Sequence, residues 1–136
     1  MPNRDQRVRA LCADWLKKAD EDLGLARHLL DEGSGYLHAI AFHSQQAAEK
    51  YLKALLVFHQ QEFPKTHDIA ELLDILAKVD KHTAAKLASV DELNPFAIEA
   101  RYPGDLPEID IQAATAAVSL AEITKTNVTA LLKALK

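Results

Sequence analysis

Glycine and proline, the residues that interrupt helices most strongly, occur in this chain mainly at a few separated places. These places are Gly33–Gly35, Pro64, Pro95 and Pro103–Pro107. The chain contains 23 alanines and 20 leucines, whereas valine and isoleucine together number 13. Because alanine and leucine favour helices while β-branched residues favour strands, the sequence predicts an all-α protein.

Apolar residues recur at helical spacing in two long stretches before Pro64. The first predicted helix begins at about residue 5 or residue 12 and ends at Asp31, with Gly33 as a natural C′ residue. Its apolar stripe consists of Leu11, Trp15, Ala19, Leu23, Ala26 and Leu30. The second predicted helix, Tyr36–Gln61, is expected to be the central scaffold. Its apolar stripe consists of Tyr36, Ile40, Ala47, Tyr51, Ala54 and Phe58.

Three further helices are predicted after Pro64. The third begins at Thr66, which we expect to be its N-cap. The fourth is short, spans about Thr83–Leu93 and ends at Asn94–Pro95. Residues 95–108 form a long non-helical connection, and the last helix runs from Ile109 or Asp110 to Leu135. The 136 residues therefore predict one domain, an up-and-down antiparallel four-helix bundle with an additional short helix.

Composition and charge exclude several classes of protein. The net charge is −4, so we expect no strong general binding of nucleic acid. The single cysteine, Cys12, excludes an intrachain disulfide and a multi-cysteine zinc site. The N-terminus is too polar for a signal peptide, and no apolar run approaches the roughly 20 residues that span a bilayer. We expect a cytoplasmic protein that does not contact a membrane.

Charge is distributed unevenly along the first predicted helix. Residues 1–18 carry five basic and two acidic side chains, whereas residues 19–32 carry five acidic side chains and one arginine. The simplest interpretation is that both halves are solvated faces of a helix.

A polar stripe follows the second predicted helix. His43, Gln46, Lys50 and Lys53 are spaced by three, four and three residues, beside the apolar stripe and not opposite it. Two interpretations are open. The stripe is a boundary face whose lysine stems lie along the core, or it is the cationic lip of a groove that contacts a phosphate or a partner protein.

Thr66-His67-Asp68 is a second candidate for ligand contact. It places a titratable histidine at a predicted helix N-terminus, where backbone N–H groups and the helix dipole attract anions. The alternative is that Thr66 and Asp68 only cap the helix.

Arg101 and Tyr102 precede Pro103 in the long connection, which is the third candidate. Functional residues are common in such connections, and an arginine there suits a phosphate or a carboxylate. The alternative is an arginine that caps the C-terminus of a helix.

Patterns typical of enzymes are missing from the sequence. It has no glycine-rich phosphate loop and no His-Glu-x-x-His zinc pair, and its six histidines are not spaced as metal ligands. We therefore predict no catalytic residue, no metal and no cofactor.

Several motifs nevertheless match one family in order and spacing over nearly the whole chain. They are Trp15 with Ala19 and Asp22-Leu23, the run from Phe42 to Leu56, Thr66-His67-Asp68 with Leu72, and Ala100-Arg101-Tyr102-Pro103. The central run contains Gln-Gln-Ala-Ala-Glu-Lys-x-Leu-Lys-Ala, which is its most specific part. On these motifs the chain resembles the HEPN domains, small helical proteins named for nucleotide binding in prokaryotes and higher eukaryotes.

The resemblance implies a helical bundle, often a homodimer, that in many members serves a minimal nucleotidyltransferase as a substrate-binding or toxin–antitoxin partner. Other members are metal-independent ribonucleases, whose signature is an arginine followed by a histidine after four to six intervening residues. None of the arginines here has a histidine at that distance, and after Arg101 those positions hold Leu106, Pro107 and Glu108. The resemblance therefore leans away from an enzyme.

Three hypotheses about function follow. The leading one is a non-catalytic binding subunit for a nucleotide or another phosphate-bearing ligand, with a nucleotidyltransferase as its protein partner. The expected ligand-binding residues are His43, Gln46, Lys50, Lys53, His67, Asp68, Arg101 and Tyr102. The alternatives are a ribonuclease toxin of a toxin–antitoxin pair and a structural dimerisation module.

A homodimer is also expected from the apolar content. The large apolar side chains are more than one small core easily hides, which predicts a two-fold dimer. Those side chains are Trp15, Phe42, Phe58, Phe63 and Phe96.

Overall fold

Six helical segments make up the protein in a computed structural model that describes residues 1–33, 35–97 and 108–134. They are α1 (Arg4–Asp31), α2 (Leu37–Phe58), α3 (Ile69–Ala77), α4 (Lys81–Lys86), a 3₁₀ helix (Ala88–Phe96) and α5 (Ile111–Ala134). The described ranges contain no β-strand, so the all-α prediction is confirmed. Arg101 and Tyr102 lie outside the described residues, as does Leu135, the predicted end of the last helix.

The first helix begins at the earlier of the two predicted positions because Asn3 caps it. The Asn3 side chain accepts the backbone N–H of Gln6, and the Gln6 side chain accepts the backbone N–H of Asn3. This reciprocal pair satisfies two N–H groups that the first turn leaves without a helical partner. At the other end Glu32 is the C-cap and Gly33 follows with φ of 62°, as predicted for a C′ glycine.

The second helix is shorter at both ends than predicted. Tyr36 is its N-cap and is exposed, and the helix ends at Phe58, where His59 is the C-cap. Gln60 then takes a positive φ of 55°, which turns the chain before Pro64 is reached. Tyr36, the first member of the predicted apolar stripe, is therefore outside the core.

The N-cap of the third helix is Asp68, two residues later than the predicted cap Thr66. The Asp68 carboxylate accepts the N–H groups of Ala70 and Glu71, at 2.9 and 3.4 Å. The Thr66 hydroxyl accepts the N–H of Asp68 instead, at 3.0 Å, outside the helix. A carboxylate at the N-cap both accepts these bonds and complements the helix dipole, which explains why it replaces the hydroxyl.

The predicted fourth helix is divided into α4 and the 3₁₀ helix. Asp80 caps α4 through the N–H of Thr83, and the backbone leaves the α-helical path at Leu87, with φ of −99° and ψ of 10°. The 3₁₀ helix continues through Pro95, where the sequence predicted an end, because the N–H of Ala97 closes a last turn onto the carbonyl of Asn94.

The core is organised around α2, which packs against α1 and α5 along its length and against α3 and the 3₁₀ helix on its remaining side. Three long helices and the α3–α4–3₁₀ unit thus form the bundle. Leu11, a member of the predicted apolar stripe of the first helix, is 48% exposed. The adjacent Cys12 is buried and donates its thiol to the carbonyl of Ala54. Burial raises the pKa of the Cys12 thiol.

The five large apolar side chains that predicted a dimer are all partly buried, not exposed. Phe58, Phe63 and Phe96 pack against the core, and Trp15 meets Phe63 edge to face with the ring centroids 6.3 Å apart. These aromatic residues therefore do not by themselves indicate a dimer. Within the described ranges, none of the helices combines the length and the apolar character needed to cross a bilayer.

Asp20 ties three helices together through the buried phenol of Tyr51. The Tyr51 hydroxyl donates to the Asp20 carboxylate on α1, and the ammonium of Lys125 on α5 lies 3.2 Å from the same oxygen. Burial, together with this hydrogen bond, raises the pKa of Tyr51 well above its ordinary value.

We expect the Tyr51–Asp20 hydrogen bond to make the free energy of unfolding depend on pH in the alkaline range. The unfolded chain releases the tyrosine proton near pH 10, whereas the folded state retains it, so the contribution of Tyr51 to stability is complete below that pH and declines above it. Between about pH 10 and pH 11, wild type should lose about 1 kcal/mol more of its free energy of unfolding than Tyr51→Phe does. Urea unfolding measures this, with Tyr36→Phe, an exposed tyrosine, as the matched control. Equal losses in wild type and Tyr51→Phe would contradict the assignment.

Candidate functional site

Polar side chains are concentrated on α2 even though this helix is the centre of the core. Ser44, Gln45, Glu49 and Lys53 are all buried there among alanines and leucines. The Ser44 hydroxyl donates to the backbone carbonyl of Ile40 in the same helix, at 2.8 Å. Gln45, Glu49 and Lys53 contact side chains or backbone of neighbouring segments, and they are therefore candidate site residues.

The Asp22 cluster joins α1 to α2 and consists of Asp22, His43 and Lys50. The two carboxylate oxygens of Asp22 take different partners, His43 Nδ1 at 2.8 Å and Lys50 Nζ at 2.5 Å. All three side chains are partly buried and remain reachable from solvent. Asp22 therefore orients an imidazole and an ammonium group at the edge between the two helices.

The Glu49 cluster lies next to it and consists of Gln45, Glu49, Lys53 and His67. The Glu49 carboxylate is 2% exposed; its Oε1 faces His67 Nδ1 at 2.8 Å, and its Oε2 accepts from Lys53 Nζ at 3.0 Å. Gln45 donates to the carbonyl of His67 at 3.0 Å, and it accepts from the side chain of Gln46 at 2.7 Å. The cluster thus connects the middle of α2 to the segment that precedes α3.

The ammonium of Lys53 is enclosed by aromatic rings as well as by Glu49. It lies 5.3 Å from the centroid of the Trp15 ring and 5.8 Å from that of Phe63. Each ring presents its negative face to the cation, which compensates part of the hydration that a buried ammonium loses. Lys53 is therefore buried, whereas Lys50, His43 and His67 are accessible to solvent.

His67 is the outermost member of the Glu49 cluster, with its side chain 67% exposed. Since Nδ1 faces Glu49, the other ring nitrogen points away from the carboxylate. The neighbouring Asp68 serves the fold, because its carboxylate caps α3 and also accepts from the side chain of Asn94 at 2.9 Å.

Each cluster contains one carboxylate, one ammonium and one imidazole. Each is therefore neutral when its histidine is neutral and singly positive when its histidine is protonated. Imidazole and ammonium groups that a carboxylate orients donate well to an anion, and an imidazole held in this way is also able to accept a proton. The site is chemically suited to an anionic ligand.

The structure brings five of the predicted residues into the two clusters or next to them. They are His43, Gln46, Lys50, Lys53 and His67. Asp68 is adjacent in sequence but is engaged at the start of α3. The two positions at Arg101 and Tyr102 lie outside the described residues.

The sequence reasoning missed the carboxylates that organise the site. Asp22 and Glu49 were not among the predicted residues, and neither was Gln45. The spacing of Glu49 and Lys53, four residues apart on one helix, is the signal that identifies the second pair. Asp22 was recognised only as part of the Asp22-Leu23 motif, and spacing does not identify its partners because they are distant along the chain.

A separate hollow lies away from the two clusters. Its volume is about 590 Å³, and it lies between the start of α1 and the ends of α2 and α5. Its lining residues are Asp5, Val8, Arg9, Cys12, Ala13, Leu16, Phe58, Gln60, Thr129, Leu132 and Lys133. None of the predicted site residues is among them, and no group of three or more histidine, cysteine or acidic side chains in the described ranges is arranged to hold a metal.

We expect the buried carboxylate to contribute far more to stability than an exposed one. Glu49→Ala leaves the Lys53 ammonium buried without its counter-ion and should lower the free energy of unfolding by about 3–5 kcal/mol. Glu122→Ala removes an exposed pair with Arg27, at 3.1 Å, and should cost about 1 kcal/mol or less. Chemical denaturation of both variants measures the difference, and similar losses would show that the Glu49 cluster is not a buried ion pair in solution.

Comparison with known proteins agrees with the helical fold described above. The sequence model of the HEPN domain matches residues 12–133. An archaeal HEPN homologue of known crystal structure is 25% identical, with a TM-score of 0.68, and the match covers 88% of this chain and 96% of that one. A protein of known crystal structure from Thermus thermophilus is 29% identical, again with a TM-score of 0.68, and the match covers 87% and 95% respectively. No curated protein matches the chain significantly. The family model spans most of the sequence, and the chain therefore belongs to the HEPN domain family.

Proposed function

We propose that this HEPN domain is a non-catalytic binding subunit for a phosphate-bearing ligand, with nucleotides as the ligand class and a nucleotidyltransferase as its protein partner. The observation that carries the proposal is the pair of carboxylate-centred clusters along one side of α2. They gather two ammonium groups and the His43 imidazole on α2, and the His67 imidazole from the segment before α3, at one side of a helix that packs the core.

Lys50 and His43 are the proposed phosphate contacts. Both are partly exposed, and both are held by Asp22, so little side-chain entropy remains to be lost when an anion binds. A phosphate oxygen shares the Lys50 ammonium with Asp22 and takes a second hydrogen bond from the protonated His43 ring. Because Asp22 competes for the same cation, we expect binding to be moderate and reversible.

His67 and Gln46 extend the site beyond the phosphate. The exposed ring nitrogen of His67 offers one further donor or acceptor, and the amide of Gln46, held by Gln45, suits the edge of a base or a ribose hydroxyl. Lys53 contributes its positive charge from behind and does not contact the ligand, because Glu49 and two aromatic rings enclose it. Arg101 and Tyr102 remain proposed ligand contacts from the sequence.

A metal-independent ribonuclease is the second candidate, and one observation favours it. Asp22 with His43, and Glu49 with His67, are carboxylate–imidazole pairs, an arrangement that orients a histidine for proton transfer. The absence of the arginine–histidine signature from the sequence favours binding over cleavage. The third hypothesis, a structural dimerisation module, predicts no ligand at all.

We expect calorimetric titration with metal-free ATP to detect binding that Lys50→Met weakens by at least about tenfold, the size of one charge-assisted hydrogen bond. Methionine keeps the apolar stem of Lys50 and removes only its charge. Lys86→Met is the matched control, because Lys86 is an exposed lysine on α4. Higher salt should weaken binding to wild type, since it screens exposed charges. Undetectable ATP binding, or binding that Lys50→Met leaves unchanged while circular dichroism shows a folded variant, would contradict the proposal.

The same protein should leave single-stranded RNA intact in a metal-free incubation. Cleavage that disappears in both His43→Ala and His67→Ala would establish the ribonuclease instead. Intact RNA together with ATP binding distinguishes a binding subunit from both alternatives.

A further inference from the structure

The hollow between the start of α1 and the ends of α2 and α5, which we call the α1–α5 hollow, has the size of a small-molecule site. Its volume is about 590 Å³, within the usual range for such sites. Most of its lining is apolar, formed by Val8, Cys12, Ala13, Leu16, Phe58 and Leu132. Cys12 and Leu132 belong to the core and are 6% and 7% exposed, so the hollow extends from the surface to the core.

Two polar groups of the lining already donate to partners inside the protein. The Cys12 thiol donates to the carbonyl of Ala54 at 3.3 Å, and the Thr129 hydroxyl donates to the carbonyl of Lys125 at 2.7 Å. Because both donors are used, the polar edge of a base or a sugar buried beside them would lack hydrogen bonds. The interior of the α1–α5 hollow therefore suits a hydrocarbon chain better than a nucleotide.

The charged lining residues are exposed. Arg9 on α1 and Lys133 on α5 contribute two cations from different helices. Neither side chain forms an ion pair with a residue in the described ranges. Asp5 is the one acidic side chain in the described lining, so the positive charges exceed the negative ones by one. This balance is complementary to a ligand with a single negative charge.

We propose that the α1–α5 hollow is a second binding site and that it takes a monocarboxylate with an unbranched hydrocarbon chain. The chain lies against Phe58 and Leu132, and the carboxylate lies between Arg9 and Lys133. The planar guanidinium of Arg9 offers a carboxylate two parallel hydrogen bonds, and Lys133 adds a second positive charge. A doubly charged phosphate monoester fits less well, because Asp5 leaves only one positive charge in excess.

This inference goes beyond the proposed function and does not rest on it. No member of the Asp22 cluster or of the Glu49 cluster lines the α1–α5 hollow. The two sites also differ in chemistry, since the clusters present imidazole and ammonium groups whereas the hollow presents an apolar interior.

Calorimetric titration with a series of carboxylates at neutral pH tests the chain and the charge separately. Affinity should rise from butanoate through hexanoate to octanoate, by about tenfold for each added pair of methylenes, because each buried methylene contributes a similar free energy. Octylammonium has the same chain length as octanoate and the opposite charge, and it should bind at least about tenfold more weakly. Equal affinities along the series, or no preference for octanoate over octylammonium, would overturn the proposal.

Variants of α1 locate the octanoate site. Ala13→Trp places a large ring in the hollow from an exposed position and should abolish octanoate binding, whereas Ala10→Trp, at an exposed position outside the lining, should leave it unchanged. Arg9→Gln should weaken binding by at least about threefold, the size of one exposed ion pair, and Arg7→Gln is its matched control. Octanoate binding that survives in a folded Ala13→Trp variant, or equal effects of the two arginine substitutions, would reject the site. The arginine pair decides the question if the tryptophan disturbs the fold.

Cys12 provides an independent readout, because it is the single cysteine of the chain and lines the hollow. Octanoate should slow the alkylation of Cys12 by iodoacetamide in wild type, whereas the same concentration of acetate should not. An alkylation rate that saturating octanoate leaves unchanged would also overturn the proposal. Ala13→Trp should keep the ATP affinity of wild type, so failure of the hollow as a site is distinguishable from failure of the proposed ATP binding.

Discussion

The burial of one carboxylate, Glu49, imposes the main constraint on this protein. At 2% exposure in the middle of the core helix, it loses nearly all of its hydration and has to recover that energy from donors inside the fold. Lys53 supplies a charge, His67 and Gln45 supply hydrogen bonds, and Trp15 encloses the lysine. These partners come from α1, from α2 and from the segment before α3, so their positions are linked through a single group.

Stability alone does not explain why such a cluster persists in a helical core. A buried ion pair repays its own desolvation poorly, and apolar residues of similar volume commonly support a fold equally well or better. Most of the other buried residues of α2 are alanines and leucines, so apolar side chains are compatible with this part of the core. Together with the second carboxylate, Asp22, the cluster orients two imidazoles and the Lys50 ammonium at an accessible edge, and we propose that this arrangement serves anion binding.

Local chemistry made the helices predictable from the sequence, whereas the site depended on contacts between distant residues. Glycine and proline positions and apolar periodicity located α1, α2, α3 and α5, but they predicted one helix where α4 and the 3₁₀ helix follow one another. An error also arose where two caps competed, at Thr66 and Asp68, because a side chain's hydrogen bond cannot be assigned from spacing alone. His43 and Lys50 were recognised as a polar stripe. Their shared partner Asp22 was not, since it lies on another helix. Lys53 was expected at a groove lip and is buried, because Glu49 one turn earlier neutralises it.

We propose that the buried Glu49–Lys53 pair serves ligand binding more than stability, and replacing both of its members by apolar residues tests this most directly. The variant Glu49→Leu/Lys53→Met removes the pair together and so leaves no uncompensated charge in the core. Its free energy of unfolding should stay within about 1 kcal/mol of wild type or exceed it. Its affinity for ATP should fall, because His67 and Gln45 lose the carboxylate that positions them. A folded variant that binds ATP with wild-type affinity would contradict the account.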